Sequence, residues 1–290
     1  MVLRFLRSAL IIYIVWGGTL YFMQDRILFP AYAAGPPSPL KFNYATVELE
    51  RNVPDVGRVA AWFVPAQLAT AAAPAPLVVF FHGNAELIDH QHDMIQHYRN
   101  MGCHVLLPEY RGYGRSAGHP SEAGILEDAE YFLAEALKRP DVDPKRLVIH
   151  GRSLGGGPAA LLAMKHKPVV MVLESTFTSA AAMASKYFVP SFLVKNKFHV
   201  DDAVAALDIP ILMFHGTTDD IIPIEHGRRL RDLAKRGKYV EYACRHNDFP
   251  GEQCNEDDYW RHIETLLTEN RILTPQPATG SADLRSAPQK

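Results

Sequence analysis

Five short, continuous apolar runs alternate with helical segments along the middle of this chain. The runs are LVVFF (77–81), CHVLLP (103–108), RLVIH (146–150), VVMVLE (169–174) and ILMFH (211–215). Unbroken apolarity over five or six residues is typical of parallel strands that are buried on both faces. Helical segments between the runs, near residues 87–100, 121–138, 154–167 and 225–236, predict right-handed βαβ units. The alternation therefore predicts an α/β fold, a mostly parallel sheet with helices on both faces.

Segments on either side of these runs complete the predicted sheet. YATVELE (44–50) and RVAAWFV (58–64) flank the turn-like NVPDVG, which predicts an antiparallel opening hairpin. YVEYA (239–243) adds an eighth strand, and a final helix begins near residue 257. A chain of 290 residues fits one large domain better than two small ones, and we assign this body to residues 42–270. Residues 271–290 are rich in Pro, Gly and Ala, which predicts a disordered tail.

The first 30 residues predict a membrane anchor and its exit segment. Arg4 and Arg7 precede the uncharged apolar run ALIIYIVWGGTLYFM, residues 9–23. As a helix this run rises about 22 Å, short of the roughly 30 Å hydrocarbon core, so the span must begin near Leu3 with Arg7 snorkelling to the headgroups. The alternatives are a buried helix or a cleaved signal peptide ending at AYA, residues 31–33, although the long spacer QDRILF favours the anchor.

Positive charge before the span favours a single-pass topology with a cytoplasmic amino terminus. The folded body then lies on the periplasmic or extracytoplasmic side, and membrane lipid is the partner of the amino-terminal helix. Residues 31–41 contain AAGPPSP, which predicts a semi-rigid linker between the anchor and the body.

Net charge and the spacing of potential metal ligands argue against two classes of function, nucleic-acid binding and metal-dependent chemistry. The net charge is −2 and basic residues are balanced by acidic ones, which argues against a nucleic-acid partner. His90, Asp93 and His97 could share one helix face, but without a fourth ligand a solvated face is the default. We therefore expect neither a metal nor a cofactor. The sequence does not indicate whether the protein is a monomer or an oligomer.

Three cysteines are too few for a disulfide scaffold. Cys103 lies in an apolar run and is expected to be a small core residue. Cys244 and Cys254 are close enough in sequence to pair in an oxidising compartment, and the sequence leaves that pairing open.

Two serines match the G-x-S-x-G pattern of a nucleophile held on a sharp turn. The pattern works when a strand runs into the turn and a helix leaves it, because that geometry presents the hydroxyl at a helix amino terminus. RLVIH-GRSLG-GGPAALLAMKH provides both elements around Ser153. Ser116, in GYGRSAGHP, is surrounded by glycine and proline with no apolar strand ending at Gly114. The context predicts Ser153 as the nucleophile and a loop around Ser116.

A serine nucleophile needs a base, an acid that orients the base, and donors for an oxyanion. HGTTDDIIP follows the ILMFH strand and supplies Asp219 or Asp220 as the acid. FFHGNAE follows a strand and precedes a helix, so its backbone could donate one N–H to an oxyanion, from Asn84 or from Ala85. Leu154, directly after the serine, would donate the other.

These motifs together resemble the α/β-hydrolase superfamily over roughly residues 42–270. FFHGNAE, PEYRGYGRSAG, GRSLGGG, HGTTDD and RHND occur in the expected order. The family's acid loop, H-G-x-x-D-x-x-x-P, implies Asp219 rather than Asp220, and its histidine loop implies His246 as the base. The family's D-x-R-G-x-G-x-S-x-G loop has Glu109 in place of the aspartate and gives Ser116 a structural role. Among thirteen histidines, His215 and His226 are then expected to be structural or superficial.

With the apolar helix and QDRILFP, the chain resembles the membrane-anchored abhydrolase-domain serine hydrolases, which include palmitoyl-protein thioesterases and lysophospholipases. The resemblance implies hydrolysis of an acyl ester or thioester through an acyl-serine intermediate. The alternatives are an amidase or peptidase, or a non-catalytic scaffold tethered to the membrane. Residues 177–208 allow only a short cap, in which KYFVPSFLVKNKF could gate an acyl pocket, touch lipid headgroups, or simply cover the sheet.

Overall fold

The computed structural model describes residues 1–37, 44–248 and 255–273, and one eight-stranded sheet is the centre of its fold. The strands are β1 (Val47–Val53), β2 (Gly57–Val64), β3 (Ala75–Phe81), β4 (His104–Pro108), β5 (Val142–Arg152), β6 (Val170–Glu174), β7 (Ile211–Gly216) and β8 (Gly237–Tyr242). Their order across the sheet is β1-β2-β4-β3-β5-β6-β7-β8. β2 pairs antiparallel with β1 and β4, and all other neighbours are parallel. The predicted hairpin and parallel sheet are confirmed.

Helices fill the connections that the sequence pattern assigns to them. They are α1 (Val2–Leu28), α2 (His92–Asn100), α3 (Glu122–Leu137), α4 (Gly156–His166), α5 (Ala180–Ser185), α6 (Val200–Ala206), α7 (Ile224–Leu233) and α8 (Glu256–Glu269). Single 3-10 turns occur at residues 31–33, 88–90, 153–155, 191–193 and 246–248. Between β6 and β7 the cap contains only α5, one such turn and α6, which confirms that it is short.

The core has two layers because successive residues of each strand point to opposite faces of the sheet. Along β3, Leu77, Val79 and Phe81 join a cluster that includes residues of α3 and α4. Val78 and Phe80 join a second cluster that includes residues of α2 and α8. Every residue of β3 is buried, as expected for a strand covered on both faces.

The apolar helix α1 is long enough to cross a membrane by length and composition. No residue of α1 is buried in the protein, but the chain directly after it enters the core. Phe29 and Ala34 are buried in the same cluster as α3 and α4, and the Phe29 ring packs edge-on against Phe198 at 6.2 Å. Packing against the body thus begins before residue 42, in segments that the sequence assigns to the anchor and the linker.

Some predictions fall on residues that the structure does not describe. These are the linker from residue 38, the tail from residue 274, and Cys254. The first residues of the predicted tail are described, and Ile272 is buried in the core, so packing continues past residue 270. Cys103 is a free, buried thiol, as expected for a core residue. Cys244 is disulfide-bonded.

The two edges of the sheet differ in character. The carboxyl ends of β3, β5, β7 and β8 meet at one edge, which in parallel α/β sheets is the usual place for a ligand. The opposite edge has a cavity of about 1220 Å³, lined by Leu68, the first residues of β3 and Gly102 before β4. The residues predicted to carry chemistry all follow strands at the carboxyl edge.

Candidate active site

Ser153 lies on a sharp turn between β5 and α4. Its φ of 52° is in the left-handed region, which costs free energy for a residue with a side chain and recurs where function requires a fixed geometry. A Cβ at Gly155 would overlap the carbonyl oxygen of Phe81, and one at Gly151 would overlap that of Gly155. Both glycines are therefore needed because the helix amino terminus approaches the strands so closely. Thr176 Oγ1 donates a 2.8 Å hydrogen bond to the Ser153 carbonyl and fixes the turn.

The structure brings Ser153, His246 and Asp219 into one hydrogen-bonded line. Ser153 Oγ lies 2.9 Å from His246 Nε2, and His246 Nδ1 lies 2.7 Å from Asp219 Oδ2. A carboxylate can only accept, so Nδ1 carries the ring proton and Nε2 is left to accept from the serine hydroxyl. Ser153 and His246 are buried, as is the side chain of Asp219. This is the geometry of a general base poised beside a nucleophile.

Asp219 is held by more than the imidazole. Its Oδ1 accepts hydrogen bonds from the backbone N–H groups of Ile221 and Ile222, at 2.9 and 2.8 Å. These two bonds hold the carboxylate in a fixed orientation, with Oδ2 directed at His246. Asp220 lies outside this arrangement: its carboxylate is exposed and pairs with Arg245 at 2.6 Å.

Asn84 lies beyond the end of β3, in the loop predicted to supply an oxyanion donor. Its amide Nδ2 donates to the Leu28 carbonyl at the end of α1, at 3.3 Å. Within the loop, Gly83 N–H donates to Glu86 Oε2 at 3.0 Å. Leu154, the second predicted donor, lies in the helical turn that begins at Ser153, and it is buried. Leu154 therefore lies in the serine turn itself, and Asn84 lies in the loop that follows β3 at the same edge of the sheet.

A buried ionic network that sequence reasoning missed joins this loop to the serine turn. Arg152 Nη1 lies 2.6 Å from Glu86 Oε1, and Arg152 Nε lies 3.0 Å from Glu174 Oε1. Glu174 is fully buried and its other oxygen accepts from Tyr259 OH at 3.0 Å. Burial opposes the charge of Arg152, but the two carboxylates outweigh burial and raise its pKa. The network therefore connects Arg152, the residue before Ser153, to the loop after β3 and to the end of β6.

The loop around Ser116 is structural. Ser116 is buried, its Oγ accepts from Ala60 N–H at 3.0 Å, and it donates to the Glu109 carbonyl at 3.2 Å. Glu109 Oε1 in turn lies 3.1 Å from Nε2 of the buried His82. Burial lowers the pKa of His82, but the hydrogen bond and charge of Glu109 outweigh it and raise that pKa above its usual value.

The two histidines expected to be structural or superficial, His215 and His226, both have hydrogen-bond partners in the protein. His215 is buried beside Asp219, its Nε2 donates to the Ile222 carbonyl at 2.8 Å, and burial lowers its pKa. His226 is half-buried rather than superficial, because its Nδ1 accepts from Thr178 N–H at 3.2 Å. The structure thus gives both residues structural partners.

The three residues considered as metal ligands do not form a cluster of ligand spacing. His97 Nδ1 bonds the backbone carbonyl of Asp93, and His90 Nδ1 accepts from the Leu87 backbone. Within the described ranges, the group of side chains with ligand atoms inside 4.8 Å is His199, Asp201 and Asp202, at the surface where α6 begins. Surface acids of this kind occur commonly without a metal.

Comparison with known proteins agrees with this architecture. Residues 76–203 match the family model described as the alpha/beta hydrolase fold. The chain is 32% identical over 273 residues to the alpha/beta hydrolase domain-containing protein WAV2 of Arabidopsis thaliana, which covers 86% of this chain and 84% of that protein. The chain belongs to the α/β hydrolase family. Membership supports a hydrolase activity in general, and the apolar α1 is in keeping with a membrane-anchored member.

Solved structures show the same fold at low identity. Esterase 2 of Thermogutta terrifontis, phosphoramylated by tabun, superposes with a TM-score of 0.66 at 17% identity, over 82% of this chain and 99% of the esterase. The acylaminoacyl peptidase of Pyrococcus horikoshii superposes with a TM-score of 0.62 at 15% identity, over 81% of this chain and 43% of the peptidase.

Proposed function

We propose that this α/β hydrolase cleaves a carboxylic ester or thioester of an acyl chain through an acyl-Ser153 intermediate. The observation that carries the proposal is the line from Ser153 Oγ through His246 to the buried Asp219, with separations of 2.9 and 2.7 Å. No metal or cofactor takes part in the proposed reaction, because serine, imidazole and carboxylate suffice for acyl transfer.

In the first half of the reaction, Ser153 Oγ attacks the substrate carbonyl carbon while His246 Nε2 accepts the hydroxyl proton. The resulting imidazolium is stabilised by Asp219, which stays ionised. The negative charge that develops on the carbonyl oxygen is bound by backbone N–H groups of Leu154 and Asn84. Collapse of the tetrahedral intermediate expels the alcohol or thiol, which takes the proton from His246 Nε2.

In the second half, water attacks the acyl-serine ester and gives its proton to His246. A second tetrahedral intermediate forms and collapses, releasing the carboxylic acid and returning the proton to Ser153 Oγ. Each residue therefore ends in its starting state, with one water consumed for each acyl bond cleaved.

Two rival functions share parts of this picture. Amide cleavage by an amidase or peptidase would use the same residues, and the similarity to an acylaminoacyl peptidase favours keeping it as the second candidate. This chain covers 43% of that peptidase, so most of the peptidase has no counterpart here. A non-catalytic scaffold would have no need to hold the serine turn and the imidazole in hydrogen-bonding contact.

We further propose a single-pass topology with the hydrolase body outside the cytoplasm. Arg4 and Arg7 precede α1 and favour a cytoplasmic amino terminus. The disulfide at Cys244 supports an oxidising compartment for the body. In this division residues 1–30 are the anchor and exit segment, 31–41 a linker, 42–270 the catalytic domain and 271–290 a tail, with Phe29 and Ile272 packed into the core.

Fluorophosphonate labelling tests the nucleophile. The parent protein and Ser116→Ala are expected to react with the probe, whereas Ser153→Ala is not, because of these two serines it is Ser153 that lies beside the imidazole. Ser116→Ala is the matched control since it removes the other G-x-S-x-G hydroxyl. Retention of labelling in a folded Ser153→Ala variant refutes the assignment.

The acid is tested by two neighbouring substitutions assayed on p-nitrophenyl esters and acyl-thioesters of graded chain length. Asp219→Asn is expected to lower kcat by roughly 10⁴-fold, because the wrong imidazole tautomer would face the serine. Asp220→Asn is expected to change kcat little, since its carboxylate bonds Arg245 at the surface. The reverse result would exchange the two roles.

A further inference from the structure

The apolar helix α1 lies along the cap rather than standing apart from it. Tyr13 OH donates to the Phe188 carbonyl at 3.0 Å, and Trp16 Nε1 donates to the Tyr187 carbonyl at 3.2 Å. Gln24 Nε2 donates to the Leu193 carbonyl at 3.1 Å. These contacts follow the axis of α1: residue 193 of the cap lies near the carboxyl end of the helix, and residues 188 and 187 lie nearer its amino end.

The polar end of this contact lies near the carboxyl end of α1. Asp25 carboxylate oxygens lie 3.2 Å from Lys195 Nζ and 2.8 Å from Asn196 Nδ2. Lys195 Nζ also lies 4.8 Å from the centre of the Tyr21 ring. Charged groups and a tyrosine at one level are typical of the membrane interface. We place this level, around residue 25, at the surface of the bilayer.

Tyr13 and Trp16 lie further along α1 from the bilayer surface, towards the amino end of the helix. Between Arg7 and Asp25, α1 has no charged residue, and this stretch of 17 residues rises about 26 Å, less than the roughly 30 Å hydrocarbon core. Tyr13 precedes Asp25 by 12 residues, or about 18 Å along the axis. An orientation of α1 that puts its apolar stretch into hydrocarbon therefore carries the cap residues bonded to Tyr13 and Trp16 with it.

The side chains of this part of the cap fit such a position. Tyr187, Phe188 and Phe192 are 59%, 80% and 77% exposed, which is unusual for aromatic residues facing water. Irregular backbone is tolerated at membrane depth only where its polar groups are satisfied by protein. Here the side chains of α1 satisfy the carbonyls of residues 187, 188 and 193.

We propose that cap residues 187–193 are embedded with α1 in the hydrocarbon of one bilayer leaflet. The Asn84 contact with Leu28, at the interfacial end of α1, then puts the mouth of the Ser153 site at the membrane surface. It follows, if the proposed hydrolase function holds, that the acyl substrate is taken from the leaflet rather than from water.

Spin labels on the full-length protein in vesicles of phosphatidylcholine and phosphatidylglycerol test the embedding. Labels at Phe188→Cys and Phe192→Cys are expected to collide several-fold more with oxygen, which concentrates in hydrocarbon, than with a water-soluble nickel chelate. Leu68→Cys is the matched control: Leu68 is 89% exposed at the opposite edge of the sheet, and its label should favour the nickel chelate. The parent chain, with its buried Cys103, provides the labelling blank.

Each outcome of this measurement decides the proposal. Preference for nickel at residues 188 and 192 would put the cap in water and overturn it. Shielding from both reagents would indicate contact with protein, such as a second copy of this chain, and would also overturn it. The readout does not require catalysis, so it is independent of the proposed function.

Delivery from the leaflet is tested by a second pair of variants. Phe192→Asp is expected to lower hydrolysis of a long-chain thioester carried in vesicles by roughly tenfold or more, because a carboxylate resists insertion into hydrocarbon. Hydrolysis of a soluble short-chain ester should be unchanged in Phe192→Asp, and Leu68→Asp should affect neither substrate. Equal loss on both substrates would refute delivery from the leaflet, whereas a parent protein inactive on both would refute the proposed function instead.

Discussion

Replacing Arg152 by methionine should destabilise the protein strongly, although Arg152 has no proposed chemical role. Its guanidinium neutralises Glu174, whose side chain is fully buried, and also bonds Glu86. Removing one partner of a buried ion pair costs about 3–5 kcal/mol, because the other charge is left without compensation. For a domain of this size that corresponds to a fall in Tm of about 6–20 °C. Thermal unfolding of the full-length protein in detergent, followed by tryptophan fluorescence, measures the shift.

Two further variants separate the charge effect from lost packing. Arg152→Met combined with Glu174→Gln should recover at least half of the lost Tm, since the remaining amide is neutral and still accepts from Tyr259. Arg228→Met breaks an exposed pair with Glu241 and should change Tm little, because exposed ion pairs contribute little to stability. The reasoning is refuted if Arg152→Met costs no more than Arg228→Met, or if the double variant is no more stable than the single one.

Two other changes test the elbow and a buried pair. Gly155→Ala should abolish most fluorophosphonate labelling, because the new Cβ overlaps the Phe81 carbonyl; Gly18→Ala, where nothing lies within 4 Å, should label normally. Normal labelling of Gly155→Ala would contradict the close approach. Glu109→Gln should destabilise the protein most near pH 6 and progressively less towards pH 9. Because the pKa of His82 is raised in the folded protein, the charged pair with Glu109 is fully formed below about pH 6.5. The pair is lost as the pH rises through the raised pKa of His82. Denaturation midpoints at both pH values measure this, and a cost that grows with pH would count against the ion pair.

The strands could be predicted because each is a continuous apolar run bounded by polar or glycine-containing segments. β3, β4, β6 and β7 begin and end within two residues of the predicted runs, while β5 begins four residues earlier. The candidate site could be predicted because its parts follow strand ends. Ser153, Asp219 and His246 are far apart in sequence, but parallel strands bring their carboxyl ends to one edge.

What the sequence could not reveal depends on contacts between distant segments. Glu86, Arg152 and Glu174 each look like a solvated charge at a strand end, and only the fold shows that they meet. The spacer QDRILF likewise does not indicate that Phe29 is a core residue, because no local periodicity distinguishes Phe29 from the apolar Ile27 and Leu28 before it. The contact between α1 and the cap has no local signature at all.

The burial of Phe29 determines what proteolytic processing near residue 33 would do to the stability of the protein. A peptidase cutting after residue 33 would release this ring from its contact with Phe198 and vacate a site inside the domain. Emptying a buried phenylalanine site costs about 3–5 kcal/mol, a large share of the stability of an ordinary domain. Processing there would therefore yield a weakened product, and a secreted form of this enzyme would need something else to fill the space.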